Sequence, residues 1–504
     1  MKKRKTILTT LFLIICIIIF FIYTPFSEDK FYKAIPANTT LFAEQENIGS
    51  QIDDILKSHP IKYFVEPYIN QPEVKAYREN KKVIWLLNKV LSKKTAFGFS
   101  KHTGRTGEEC FFAVLQINSI QQIAKLILPF YKDKNLVKSK AENNQSIWTS
   151  SLNDSQLNFT LSDGMLILTI SKSTASIERI LKQLSDSNDA VSISQAVNQL
   201  KDIQSQNRGF YFPPYPHSRV SKTILFSFEE FSPNQTHINI YPTDDILSFE
   251  TLKASDISNM LETINYYPTC FIAGTPKFFT TICERYINIP DNITSTLQDI
   301  ANAPTFISSA SQKYSGKVLK LRTPSIMIGS KISEEQKEQL ISGIIKKFST
   351  PQNQIYLKGV ENSNINIFTV ANDNNKYTQQ PDSDKVSFAT KNHLTIFSSA
   401  YYPLNKIISK PAHNIYKGTD IPENSIAFAI LDIPKTISLM EDYLDVYAIY
   451  LIVSSDRQLN AKRSKIDNQI KPILNQIKIP GTVTVSVNQS IITPYMIEIK
   501  ITNK

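Results

Sequence analysis

Apolar and polar positions along this chain fall into short runs of period 2, each ended by Pro, Asn, Gly or Ser and often followed by an amphipathic run of period 3.6. The first pattern predicts strands and the second helices. Near the end, GTVTVSVNQ (Gly481–Gln489) and PYMIEIKIT (Pro494–Thr502) alternate throughout and predict a hairpin. Ile177, Ile180, Leu181 and Leu184 share one helix face, as do Val83, Leu86, Leu87 and Val90 beside Trp85. The sum of these elements is an α+β fold of mainly antiparallel sheet with packed amphipathic helices.

The pattern recurs. IPANTTLFAEQENIGSQIDDIL (Ile35–Leu56) has an echo in IPENSIAFAILDIPKTISLMEDYL (Ile421–Leu444), and proline suits the first position of a strand because it lacks a donor. A longer correspondence runs from Asn118–Leu128, SIWTSS (Ser146–Ser151) and Gln156–Leu184 to Ile332–Ile345, NINIFTV (Asn364–Val370) and Lys385–Ser409. In both series a tight-turn pair, Asp163-Gly164 or Asn392-His393, separates two apolar runs, and a helix follows. Shared order and turn position predict an internal repeat. Two related modules are expected, 35–255 and 256–504, joined between about Thr251 and Tyr267.

The first residues carry a different signal. Lys2, Lys3, Arg4 and Lys5 (a cytoplasmic start, 1–5) precede an uncharged stretch that predicts a transmembrane helix over 6–23, followed by a linker over 24–34. A cleaved secretory signal shares the same pattern, but Pro25 and Phe26 stand where small residues are needed for cleavage. Ile437–Val453 is also apolar, yet Glu441, Asp442 and Asp445 favour a partly buried helix over a second span. The expected localisation is therefore a single-pass membrane protein, with its N-terminus cytoplasmic and its bulk periplasmic or extracellular.

Composition narrows the chemistry. Thirteen Gly, six His and four Cys among 504 residues disfavour glycine-rich nucleotide folds, histidine-built metal centres and disulfide-dense scaffolds. The net charge of +11 divides into +3 over residues 1–30, +5 over 451–504 and +3 over the body. Because the topology denies access to nucleic acid, the basic C-terminal region (Arg457, Lys462, Arg463, Lys465, Lys471, Lys478, Lys500 and Lys504) suggests a solvated helix face or an anionic envelope component as partner. Abundant Ile, Lys and Asn also fit an A/T-rich genome.

No catalytic constellation stands out. The histidines are scattered, with none at i, i+4; Gly-x-Ser-x-Gly and Cys-x-x-Cys are absent, and adjacent acid pairs point to different faces. No cofactor, metal or catalytic residue is predicted. Cys270 and Cys283 lie on a strand and the helix after it, close enough for a disulfide, and they also fit as small buried residues. In GFYFPPYPHS (Gly209–Ser218), Phe210, Tyr211 and Tyr215 alternate with prolines, giving either an exposed partner platform or a strand with its rings packed inside.

The Ile-Pro-x-Asn entry (Ile35–Asn38), the stretch TAFGFSKHTGRTGEECFFAVLQI (Thr95–Ile117) and the Asp163-Gly164 hairpin resemble uncharacterised bacterial proteins with one membrane span and a large extracytoplasmic part. The resemblance covers about half the chain, its motifs are structural, and it implies no site residue. Together these readings predict a non-enzymatic, membrane-anchored envelope protein that presents an interaction surface, with another envelope protein as partner. A lipid or small-ligand module between the two α+β modules is the first alternative. An envelope hydrolase is the second.

Overall fold

The computed structural model describes residues 26–51, 88, 91–101, 109–117, 121, 125, 136–152, 155–185, 191–212, 223–232, 234–242, 250–264, 269–286, 303–315, 320–351, 353–370, 385–411, 419–453, 464–476, 481–493 and 495–503. Among the described residues antiparallel sheet, with twenty strands, is the dominant structure. The residues divide into two compact units: Met1–Ser232 with Ile238–Asp244, and Pro233–His237 with Asp245–Lys504.

In the first unit α1 (Glu28–Lys33) leads into β1 (Thr39–Gln45). Then come β2 (Thr95–Lys101), β3 (Glu109–Gln116), β4 (Leu136–Lys140), β5 (Ser146–Leu152), β6 (Ser155–Ser162) and β7 (Met165–Ser171). Two helices, α2 (Ala175–Ser185) and α3 (Val191–Lys201), precede β8 (Arg208–Tyr211), β9 (Ile224–Phe231) and β10 (Gln235–Pro242), whose first residues, up to His237, group with the second unit. The lateral order is β10-β9-β8-β1-β2-β3-β7-β6-β5-β4.

The second unit opens with α4 (Ala254–Ile264), β11 (Cys270–Gly274), α5 (Pro276–Tyr286), β12 (Thr305–Ser315), β13 (Lys320–Ser330) and α6 (Glu334–Phe348). It continues through β14 (Ile355–Gly359), β15 (Ile365–Val370), β16 (Ser387–Lys391), β17 (Leu394–Ser398), α7 (Tyr401–Ser409) and β18 (Ala427–Asp432). A 21-residue helix, α8 (Ile433–Val453), a π-helical turn (Ile466–Ile470) and α9 (Lys471–Gln476) precede β19 (Gly481–Gln489) and β20 (Tyr495–Asn503). Its lateral order, β20-β19-β18-β11-β12-β13-β17-β16-β15-β14, repeats that of the first unit strand for strand.

This equivalence places β1 opposite β11 and β8 opposite β18. The echo between Ile35–Leu56 and Ile421–Leu444 therefore joins β1 to β18, two strands that do not correspond. It reflects a common way of entering a strand, proline first, rather than a shared position. The longer stretches behave differently: β5, β6, β7 and α2 correspond to β15, β16, β17 and α7.

Turn chemistry explains the two matching hairpins. Between β6 and β7, Asp163 (φ 49°) and Gly164 (φ 78°) both sit at positive φ, as do Asn392 (φ 51°) and His393 (φ 62°) between β16 and β17. That pair of left-handed residues makes a turn whose twist matches the strands it joins.

Alternation along the strands sorts the side chains of each sheet into two faces. In the first unit Phe42, Phe112, Val114, Ile167 and Phe210 belong to the core, which includes Phe31 of α1, Ile177, Ile180 and Leu181 of α2, and Leu200 of α3. In the second, α4 and α7 supply Ile257, Met260, Leu261, Ile264, Leu404 and Ile407 to a core with Phe271, Phe306, Met327, Ile396, Phe428 and Ile430. Gly98 permits this packing: a Cβ there would lie 2.2 Å from the Leu41 carbonyl oxygen and 2.6 Å from the Phe112 ring, which fills the gap.

The expected fold class needs correction. Among the described residues no helix is long and apolar enough to cross a membrane, and antiparallel sheet of twenty strands replaces the expected α+β fold of a transmembrane helix followed by two modules of mainly antiparallel sheet with packed helices. Even α8, the longest described helix, carries Lys435, Glu441, Asp442 and Asp445. The single-pass membrane localisation and the transmembrane assignment are corrected on the same finding. The stretch that carried them, 6–23 with Lys2, Lys3, Arg4 and Lys5, lies outside the described residues.

Candidate functional site

Of the aromatic run at 209–218, the described residues 209–212 divide between the two faces of the sheet. Strand alternation turns Phe210 inward, where it is fully buried and stacks on Phe42 with ring centroids 5.1 Å apart, while Tyr211 points the other way and is exposed. Tyr215 lies outside the described residues. Cys270 stands as a free thiol whose pKa is raised by burial, and the side chain of Cys283 lies outside the described residues. Among the described residues no three His, Cys, Asp or Glu side chains are grouped as metal ligands.

A buried polar cluster in the first unit was not foreseen. Glu44, 3% exposed, extends from β1 on the side of the sheet that faces α1. Its carboxylate accepts from Arg208 Nε at 2.7 Å and from the Tyr32 hydroxyl at 2.9 and 3.1 Å, with Lys94 Nζ 3.4 Å away. Lys94 Nζ also donates to Glu28 and to the Tyr32 hydroxyl, both at 2.8 Å, and Arg208 donates to the Ile203 carbonyl at 2.7 Å. Burial alone would depress Lys94 and Arg208, but the Glu44 carboxylate and the hydrogen bonds around it outweigh that cost and raise both. Burial, then the Glu44 charge, raise Tyr32. Every member is already satisfied, so the cluster acts as a structural tie between α1, β1, β2 and β8 and offers no reactive group.

A second polar cluster, in the second unit, could be mistaken for a hydrolytic triad. Ser486 Oγ donates to Glu498 Oε2 at 2.9 Å, while His237 Nε2 lies 2.9 Å from Glu498 Oε1. Lys500 Nζ lies 3.1 Å from Glu498 and 2.8 Å from Asp420. A nucleophilic serine needs the imidazole between itself and the acid, but here the carboxylate stands in the middle. The His237 hydrogen bond is the chief reason that the Glu498 pKa falls to about 2; burial opposes it, and Lys500 and Ser486 add to it. The basic C-terminal region is likewise partly neutralised, with Lys500 paired as above and Lys471 held by Asp445 at 2.5 Å and Asp467 at 3.1 Å.

The feature with most capacity to bind lies on the opposite side of the first sheet from Glu44. In register across β8, β1, β2, β3 and β7 stand Tyr211, Leu41, Phe99, Phe111 and Ile170, with Phe97 one pleat away on β2. Phe111 is 60% exposed, Phe97 46%, Leu41 41%, Ile170 40% and Tyr211 36%. Further along the same face Leu115, Trp148 and Leu161 are buried with Leu91, Phe159, Leu166 and Leu168 against them, so only one part of it is open. The second unit repeats the exposure on the corresponding strand β13, at Ile326 and Ile328. Alternation could have marked this row, since both faces of ECFFAVLQ carry large apolar residues and the large residues of TAFGFSK, Phe97 and Phe99, share one face opposite the small Ala96, Gly98 and Ser100.

No family model matches the chain, and no curated protein matches it. Two crystal structures of TP0453 are similar to it. Crystal form IV shares 8% identity over 47% of this chain and 86% of that one with a TM-score of 0.25; form III shares 9% over 75% and 97% with a TM-score of 0.21. A likeness that slight assigns neither fold nor function to this chain.

Proposed function

We propose that this is a non-enzymatic binding protein that works through the open apolar row of its first unit. The carrying observation is the exposure of Leu41, Phe97, Phe111, Ile170 and Tyr211 side by side on five adjacent strands. At about 200 Å² per aromatic and slightly less per aliphatic side chain, the row leaves roughly 400 Å² of apolar surface in water. That withholds about 10 kcal/mol of burial, and contiguous patches of this size are commonly functional. The two polar clusters support the non-enzymatic reading, since one is internally saturated and the other has its groups in the wrong order for nucleophilic attack.

An environment-sensitive apolar dye tests the proposal. The full chain binds it, and replacing Phe97 and Phe111 together with Ser lowers the fluorescence markedly while the far-ultraviolet circular dichroism stays the same. Unchanged dye binding in a folded double variant would remove the row as the binding surface.

A further inference from the structure

Resting on that reading, we infer that the occupant of the row is the same row on a second copy of this chain, in a two-fold dimer packed sheet on sheet. Shape comes first. Five strands at about 4.8 Å spacing make a face about 19 Å wide, and register keeps Tyr211, Leu41, Phe99, Phe111 and Ile170 at one level across it. Small ligands favour concave pockets, whereas a twisted sheet face is complementary to another at about 10 Å separation and an angle near 30°.

Area points the same way. Interfaces between proteins are about 57% non-polar, so roughly 400 Å² of apolar surface belongs to a contact of about 700 Å² per copy. That is close to the about 800 Å² per partner of a standard stable interface. The row is thus the size of one half of a dimer contact.

Charge at the edge of the row is also self-complementary. Lys101 at the end of β2 and Glu109 at the start of β3 are each about half exposed, with Nζ and Oε1 3.4 Å apart, and Lys172 follows directly on β7. Basic, acidic and basic groups alternate along this edge, so it offers no uniform field to a strongly charged partner. A two-fold axis through the row can bring the acid of one copy to a base of the other.

The test uses the full chain with a photoreactive benzoylphenylalanine in place of Phe111, produced as a mixture of isotopically heavy and light copies. Irradiation is expected to give a covalent species of twice 57.3 kDa. Its cross-linked peptides should join heavy to light copies through β1, β2, β3, β7 or β8. Adding Phe97→Lys should reduce this species to the level seen with the probe at Phe348, an exposed position on α6. Overturning results are monomer alone, cross-links only to lipid or to another protein, or links from Phe111 to a different surface of the second copy. If the serine double variant loses dye binding yet no self-link forms, the row remains a binding surface and the dimer is wrong.

Discussion

Glu44 brings a carboxylate to the helix side of the first sheet and meets two cations there, Arg208 at 2.7 Å and Lys94 at 3.4 Å. Removing the acid strands Arg208 and leaves Lys94 with Glu28 as its remaining carboxylate, and breaking a buried pair from one side costs about 3–5 kcal/mol. Glu44→Gln should therefore lower the free energy of urea unfolding by about 3 kcal/mol, and Arg208→Met in the same chain should recover part of it. Glu498 gives a pH test at the same scale. Its folded pKa of about 2 lies below the 4.5 of an ordinary glutamate, so it stabilises the fold fully above pH 4.5 and loses that contribution as the pH falls toward 2. Allowing for solvent screening, the loss is on the order of 1–2 kcal/mol. Thermal unfolding of Glu498→Gln should be less dependent on pH between 5 and 2 than that of the parent chain. In sequence, alternation alone puts Glu44 on the same side as Phe42, which marks it as an inward acid. Its partner Arg208 is 164 residues away, and no local pattern links them.

Hairpins are where local chemistry speaks most directly. Asp163-Gly164 and Asn392-His393 turn where their residue types say they should, because Asp, Asn and Gly tolerate positive φ. His393 is the exception, a side chain held at φ 62° with nothing local to favour it. His393→Gly should raise stability by about 0.5–1 kcal/mol in denaturant unfolding, with the Asn392 Nδ2 bond to Thr263 Oγ1 kept at 3.0 Å. The same scale explains why proline-led strand entries misled: Ile-Pro-x-Asn encodes how a strand begins, and β1 and β18 begin alike while occupying different places in their sheets.

For the whole molecule, the ten-strand order common to both units brings distant segments together in the same way twice. Phe111 on β3 and Ile326 and Ile328 on β13 are exposed on corresponding strands, although their sequences, ECFFAVLQ and KLRTPSIMIGS, share no motif. The row that carries the proposed function draws on residues from Leu41 to Tyr211, and a dimer contact would add to it only what the strand register has already aligned. The aromatic run at Gly209–Ser218 illustrates the opposite outcome. Side by side in sequence, Phe210 and Tyr211 are assigned to core and surface by the pleat.

Residue order alone is enough to set the elements: period-2 runs became strands, Asp-Gly and Asn-His became turns, and Ile177, Ile180 and Leu181 became a buried helix face. These are local properties, set by backbone sterics and by the spacing of apolar side chains within a few residues. Long-range folding set which strands are neighbours, that Glu44 meets Arg208 and Lys94, that Ser486 and His237 flank Glu498 on the wrong sides for catalysis, and which apolar face stays open. Pairing in antiparallel sheet depends on hydrogen bonds between segments far apart in the chain, and a face is buried or exposed only once those segments have been placed.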